Sequence, residues 1–180
     1  MANPRNIVFI ARSLDGYIAG PNGELDWLHA TPNPDGIDMG FGALMDEIDA
    51  IVMGRATFEV VCGFDGPWPY SKPVYVLSST LHALPEKALG KATLLKGDLS
   101  GILATIHSHG HHILYVDGGQ TIQSFLRADL IDEMRITTIP LLLGGGASLF
   151  GTLPKPMHWE HVQSEVFLGQ LVQDSYRRAR

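Results

Sequence analysis

The sequence predicts an α/β fold, with a mostly parallel central sheet covered on both faces by helices and antiparallel strands at one edge. Three observations carry that expectation. Short, almost wholly apolar runs recur at Ile7–Ala11, Ala50–Met53, Val74–Leu77 and Ile113–Val116, as expected of strands buried on both faces. Between them lie segments whose apolar residues fall three and four apart, as on one face of a helix. From Met134 onward the helical spacing gives way to strand-like runs, Met134–Ile139, Val162–Phe167 and Leu171–Tyr176.

The elements follow in order. Ile7–Ala11 is a buried strand, and Ser13 to Gly23 is a loop with turn signals in Gly20-Pro21-Asn22-Gly23. Asp26-Trp27-Leu28 interrupts its polarity, and Pro32 and Pro34 end it. A loop this long has a function more often than not. Gly36 to Ile48 reads as a helix through Met39, Phe41, Leu44, Met45 and Ile48. Ala50–Met53 is the second strand, and Gly54-Arg55-Ala56-Thr57 turns into a short helix bearing Phe58, Val61 and Cys62. Val74–Leu77 is the third strand and ends in Ser78-Ser79-Thr80. Thr93–Leu95 is a short strand, and Asp98 caps a helix carrying Leu99, Ile102, Leu103 and Ile106. Ile113–Val116 runs into Asp117-Gly118-Gly119, after which Ile122, Phe125 and Leu126 take helical spacing. Pro140 to Gly146 is glycine-rich, and Leu168-Gly169-Gln170 turns the final hairpin.

A chain of 180 residues with 45% hydrophobic and 18% charged side chains is expected to form a single domain, 1–180, of ordinary globular type. A net charge of −6 argues against a nucleic-acid surface, which would need a basic stripe. The lone cysteine, Cys62, excludes an internal disulfide and suits a reducing compartment, so with no targeting or membrane segment the expectation is a cytoplasmic protein.

In parallel sheets ligands bind beyond the carboxyl ends of the strands. That places Ser13–Ala19, Gly54–Thr57, Ser78–Thr80 and Asp117–Thr121 on one rim, where small residues, hydroxyls, backbone donors and a cation suit a long polyanionic ligand. A helix opening at Gly118-Gly119 would offer unpaired N–H groups to a phosphate, although such a pair is also an ordinary tight connection. The dinucleotide fingerprint G-x-G-x-x-G is absent, and no acidic partner for a ribose 2′-hydroxyl stands out. Arg55 and Thr57 instead favour a 2′-phosphorylated cofactor over NAD.

S-L-D-G-Y-I-A after the first strand, M-G-R-A-T-F-E, V-L-S-S and V-D-G-G-Q-T-I together resemble the dihydrofolate-reductase-like superfamily in that order. The nearest branch is similar to the C-terminal reductase domain of the bifunctional riboflavin-biosynthesis deaminase/reductase and its stand-alone relatives. The resemblance implies a three-layer α/β/α fold and an NADPH-dependent reductase acting on a pyrimidine- or pterin-like small molecule. Its best named activity is reduction of 5-amino-6-(5-phosphoribosylamino)uracil, with dihydrofolate reduction and non-catalytic NADPH binding as alternatives. By position it implies that Gly54, Arg55, Thr57, Leu77, Ser78 and Ser79 contact the cofactor, and that Gly118, Gly119, Gln120 and Thr121 take its pyrophosphate. Ala11, Gly16 and Ile18 would bracket the nicotinamide, with Ser13–Gly23 as a mobile lid. Asp38 would be the catalytic carboxylate, with Phe41 and Trp27 also against the substrate. A homodimer is implied too.

Two departures weigh against dihydrofolate: Lys72-Pro73 stands where the folate branch carries an arginine, and the lid lacks P-W-x-L. Among the remaining features, His107, His109, His111 and His112 straddle Gly110, with no shared helical face and no thiolate, so no metal site is expected. The basic tail Arg177-Arg178-Arg180 is expected to be solvated.

Overall fold

The computed structural model describes residues 3–180. Among the described residues, ten strands and four α-helices follow one another as β1 (Arg5–Ser13), β2 (Tyr17–Ala19), α1 (Phe41–Glu47), β3 (Ala50–Gly54), α2 (Arg55–Gly63), β4 (Val74–Leu77), β5 (Ala92–Leu95), α3 (Leu99–Ser108), β6 (Ile113–Asp117), α4 (Gly119–Arg127), β7 (Glu133–Ile139), β8 (Ala147–Ser148), β9 (Trp159–Phe167) and β10 (Leu171–Arg178), with short 3-10 helices at Asp26–His29 and Glu86–Ala88. Eight strands form one sheet in the order β5-β4-β3-β6-β1-β7-β10-β9. Every pairing from β5 to β7 is parallel, and β10 runs antiparallel to both β7 and β9. The predicted mixed sheet with a closing antiparallel hairpin is therefore present.

Helices occupy both faces because the parallel strands are apolar on both sides. On one face Leu44 and Ile48 of the α1 region and Phe58 and Val61 of α2 pack on Ile7, Ile51, Met53, Val76 and Tyr115. On the other, Ile102, Leu103 and Ile106 of α3 and Ile122, Phe125 and Leu126 of α4 pack on Val8, Val52, Leu114 and Val116. Asp98 caps α3 as predicted, its side chain accepting from Gly101 N at 3.1 Å. The final hairpin turns through Leu168 (φ 53°) and Gly169 (φ 69°), with Gln170 N donating to Phe167 O at 3.1 Å. Two positive φ values in succession match the right-handed strand twist.

Three expectations are corrected. The helix predicted from Gly36 begins only at Phe41, because Gly36 (φ 62°), Met39 (φ 56°) and Gly40 (φ 92°) lie in the left-handed region and cannot propagate a right-handed helix. Met39 leaves the predicted helical face and packs beside Trp27, Ile139 and Leu171. The basic tail is anchored rather than solvated: Arg178 pairs with Asp129 at 2.7 Å with only 8% of its side chain exposed, and Arg180 reaches Asp132 at 2.6 Å.

The third correction concerns Ser13–Gly23, expected as a loop, whose Tyr17–Ala19 stretch is the strand β2. Tyr17 and Ala19 pair with Ser148 and Ala147, and Leu149 N donates to Gly16 O at 2.9 Å. Asp15 accepts from Ser13 Oγ (2.6 Å), Leu143 N (3.1 Å) and Gly144 N (2.8 Å), bonds that hold its carboxyl below the ordinary range. The glycine run is required there, since a Cβ on Gly146 would collide with the Ala19 carbonyl. The four histidines lie at the opposite end of the sheet, where His109 and His111 both turn Nδ1 toward the Tyr75 hydroxyl, at 2.9 and 2.8 Å.

Candidate active site

Because β1, β3, β4, β5 and β6 are parallel, their exits share one rim, and a cleft of about 1140 Å³ opens along it. Its wall includes Ala11 and Ile18, Gly54, Arg55 and Thr57, Leu77, Ser78 and Ser79, and Gly118 to Thr121. These are twelve of the thirteen residues proposed from sequence to touch a cofactor. The exception is Gly16, which lies just before β2 and accepts from Leu149 N through its carbonyl.

The starts of α2 and α4 interlock at the centre. Gly118 has φ 95° and ψ 135°, a conformation open to glycine, and it turns the chain directly into α4. A Cβ there would meet Thr57 Oγ1; one on Gly54 would lie 2.7 Å from Thr121 Oγ1, and one on Gly119 would lie 2.7 Å from Ile18 Cδ1. The three glycines thus bring backbone from separate strand exits within one ligand's reach. No side chain caps α4, so its first N–H groups and the positive end of its dipole face the cleft. The fit to a dinucleotide phosphate rests on these donors together with Thr57, Ser78, Ser79 and Thr121.

Arg55 is placed at the cleft but already partnered, with Nε on Glu59 Oε1 at 2.6 Å and a terminal nitrogen on Thr80 Oγ1 at 2.9 Å. The pair is half-exposed and contributes little to stability. It orients the guanidinium instead. Lys96, just past β5, adds a second cation to the wall. Sequence reasoning passed over it although the strand-exit rule applies equally to β5.

The residues proposed to meet substrate divide differently. Asp38 is exposed and outside the cleft wall; its Oδ1 accepts from Gly40 N at 3.0 Å and its Oδ2 from Gly42 N at 2.9 Å. Those bonds lower its pKa, so it is held as a carboxylate at the start of α1. Trp27 is buried in a small core with Ile139 and Leu171, its indole donating to Glu24 O at 2.9 Å. Phe41 packs tilted against Phe9 and edge-on to Tyr115, with centroids 6.0 and 6.5 Å away.

A group that the sequence marks only as part of a phosphate turn stands out in the fold. Asp117 ends β6 on the cleft wall, and burial raises its carboxyl pKa to about 6 despite the hydrogen bond from Gly118 N at 2.9 Å. The residue is partly covered and lines the cleft, so the protein packed around it, rather than complete enclosure, desolvates the carboxyl. Tyr115 Oη donates to Phe9 O at 3.1 Å, and Tyr70, whose hydroxyl burial also pushes up, shares the cleft. A carboxyl that exchanges a proton near neutral pH suits general acid–base work. Its signal in the sequence was a carboxylate at the end of an apolar strand, where desolvation is expected.

Residues 4–172 match the RibD C-terminal domain family. The chain is 30% identical over 97% of its length to YwjB of Bacillus subtilis, an uncharacterized protein covered to 98%. It shares 53% identity and a TM-score of 0.95 with the crystal structure of a putative riboflavin biosynthesis protein from Shewanella sp. PV-4, covering 98% of this chain and 99% of that one. RibD of Acinetobacter baumannii superposes with a TM-score of 0.74 at 15% identity, over 98% of this chain and 58% of its own. Dihydrofolate reductase from Enterococcus faecalis, complexed with NADP(H), gives 0.66 at 18% identity over 98% of this chain and 97% of its own. The last two likenesses are of fold, the three-layer dihydrofolate-reductase-like arrangement expected from the sequence.

Proposed function

From the premise that this chain belongs to the RibD C-terminal domain family, we propose that it is an NADPH-dependent reductase of a pyrimidine- or pterin-like small molecule. The observation that carries this reading is the single rim on which Gly54, Gly118 and Gly119 admit a ligand to backbone donors while Arg55 and Lys96 supply positive charge. When bound, NADPH would supply the hydride.

The chain's own contributions follow from the cleft. Gly118 to Thr121, Thr57, Ser78 and Ser79 would hold phosphates, and Arg55, aimed by Glu59, would select a 2′-phosphate. Ala11 and Ile18 would bracket the nicotinamide and, with Ala19 and Leu28, exclude water from the reacting atoms. The Ser13–Gly23 segment would do this as a preformed wall, because β8 already holds it. Asp117 is the better placed of the two candidate carboxylates to hold or deliver a proton, since it lines the cleft and its pKa is raised toward neutrality. Asp38, fixed by two amides, would serve as an ionised acceptor at most.

Reduction of 5-amino-6-(5-phosphoribosylamino)uracil is the named activity favoured by the Shewanella relative's description as a putative riboflavin biosynthesis protein; dihydrofolate reduction is the alternative. Exposed Val162, Val166 and Val172 on the final hairpin support a homodimer, which light scattering in solution would test. No described helix is long and apolar enough to cross a membrane. Titration with NADPH and NADH tests the central claim: tighter binding of NADPH is expected, and equal affinity or no binding refutes it. NADPH oxidation with dihydrofolate and with the riboflavin intermediate then separates the two activities.

A further inference from the structure

We propose that Tyr70 touches the hydride acceptor and fixes its place in the cleft, the phenolic O–H donating to a carbonyl oxygen of the acceptor ring; the inference rests on the reductase reading above. Tyr70 lines the cleft from the connection between α2 and β4. Its ring packs edge-on against Trp68, with centroids 5.8 Å apart, and Trp68 packs against Phe58 of α2 at 6.2 Å. Both of those rings are buried, so the row ties a residue outside any helix or strand to the core.

Burial, and then the nearby Asp117 carboxyl, raise the pKa of two phenols, Tyr70 and Tyr115. The two differ in what their hydroxyls hold. Tyr115 is buried and donates to Phe9 O at 3.1 Å. Tyr70 is half-buried, and its hydroxyl has no hydrogen-bond partner among the described residues. A desolvated hydroxyl left unpaired is costly, and a ligand oxygen would remove that cost. The other polar side chains of the wall outside the phosphate rim are engaged. Glu59 and Thr80 hold Arg55, Asp98 caps α3, and Ser124 donates to Gln120 O at 2.9 Å. Tyr70 is therefore the neutral donor left for an acceptor. From α2 and the turn after it, Val60, Val61 and Phe64 line the same cleft, and Val60 and Phe64 stay 43% and 52% exposed although apolar. That surface suits the face of a flat ring. The phenol keeps its proton because its ionisation is opposed, so Tyr70 breaks no bond and Asp117 remains the group that exchanges a proton.

The test compares the full chain with Tyr70→Phe, which keeps the ring and its packing and removes the hydroxyl alone. NADPH is titrated into each by calorimetry. NADPH oxidation is then followed with 5-amino-6-(5-phosphoribosylamino)uracil and with dihydrofolate, both of which carry a ring carbonyl. The variant is expected to match the native chain in NADPH affinity and urea midpoint, and to show KM raised about ten-fold for whichever substrate is turned over. Its kcat should be nearly unchanged, because the bond is present in ground state and transition state alike. An unchanged KM overturns the proposal. A fall in kcat alone also overturns it, since the phenol would then supply the proton, and so does weaker NADPH binding, since the hydroxyl would then belong to the cofactor site. NADPH binding without turnover of either substrate removes the proposal and leaves the cofactor reading standing. Failure of NADPH to bind the native chain removes both.

Discussion

Replacing Asp117 by asparagine should change how stability depends on pH. The carboxyl has an ordinary pKa of 3.8 and titrates at about 6 in the fold. Below about pH 4 it is protonated in both the folded and unfolded chains and contributes no difference. Between these values the folded chain retains a proton that the unfolded chain has released, so stability falls as pH rises. Above about pH 6 the folded chain must carry a buried carboxylate, and the penalty reaches its plateau. A rise of about two pH units corresponds to a plateau of about 3 kcal/mol. Asparagine keeps the shape and cannot ionise, so the stability of Asp117→Asn relative to the native chain should increase by about that amount from about pH 4 to about pH 7.5. Urea unfolding of both proteins across the range measures the difference directly. If it changes by less than about 0.5 kcal/mol, the carboxyl is not desolvated and the proton-holding role fails with it. Turnover supplies an independent readout: if Asp117 donates the proton, kcat/KM should decline above about pH 6, and that limb should disappear in the variant.

Three other substitutions probe the rest of the site. Gly146→Ala places a Cβ against the Ala19 carbonyl at φ 138° and should cost about 2–4 kcal/mol in urea unfolding, with faster proteolysis within Ser13–Gly23; native-like stability and protection would show that the glycine run does not hold the loop. Arg55→Leu should lower the preference for NADPH over NADH by about 10–100-fold while leaving stability nearly unchanged, as read by paired titrations. Asp38→Asn should leave kcat unchanged and lower the unfolding midpoint, because its carboxylate bonds only Gly40 N and Gly42 N. Its lowered pKa means that this stabilisation is present above the ordinary carboxylate pKa and is lost as pH falls through the depressed one, so the two midpoints should converge in acid. A large fall in kcat would instead restore Asp38 as the catalytic group.

Whatever depends on local chemistry is legible in the order of the amino acids. Runs such as Ala50–Met53 and Ile113–Val116 are apolar on both faces, so they had to be interior strands, and the spacing of Ile122, Phe125 and Leu126 had to be one helical face. Parallel strands then bring their exits to one rim, which is why all but one of the expected cofactor contacts fall on the cleft wall. Contacts between residues far apart in the chain are a matter for the assembled fold. Asp15 finds its amides at Leu143 and Gly144, and Ala19 finds its strand partner at Ala147, so an apparently free loop is pinned. Arg178 finds Asp129, and an apparently solvated tail is anchored. Left-handed backbone at Met39 and Gly40 overrode a helical pattern that continued through them, moving Asp38 out of the helix and onto its first amides. The altered titration of Asp117 likewise arises only in three dimensions. Its position after an apolar strand was legible, but desolvation is a property of everything packed around a carboxyl, and Tyr115, Tyr70 and the cleft wall meet there only once the sheet is assembled.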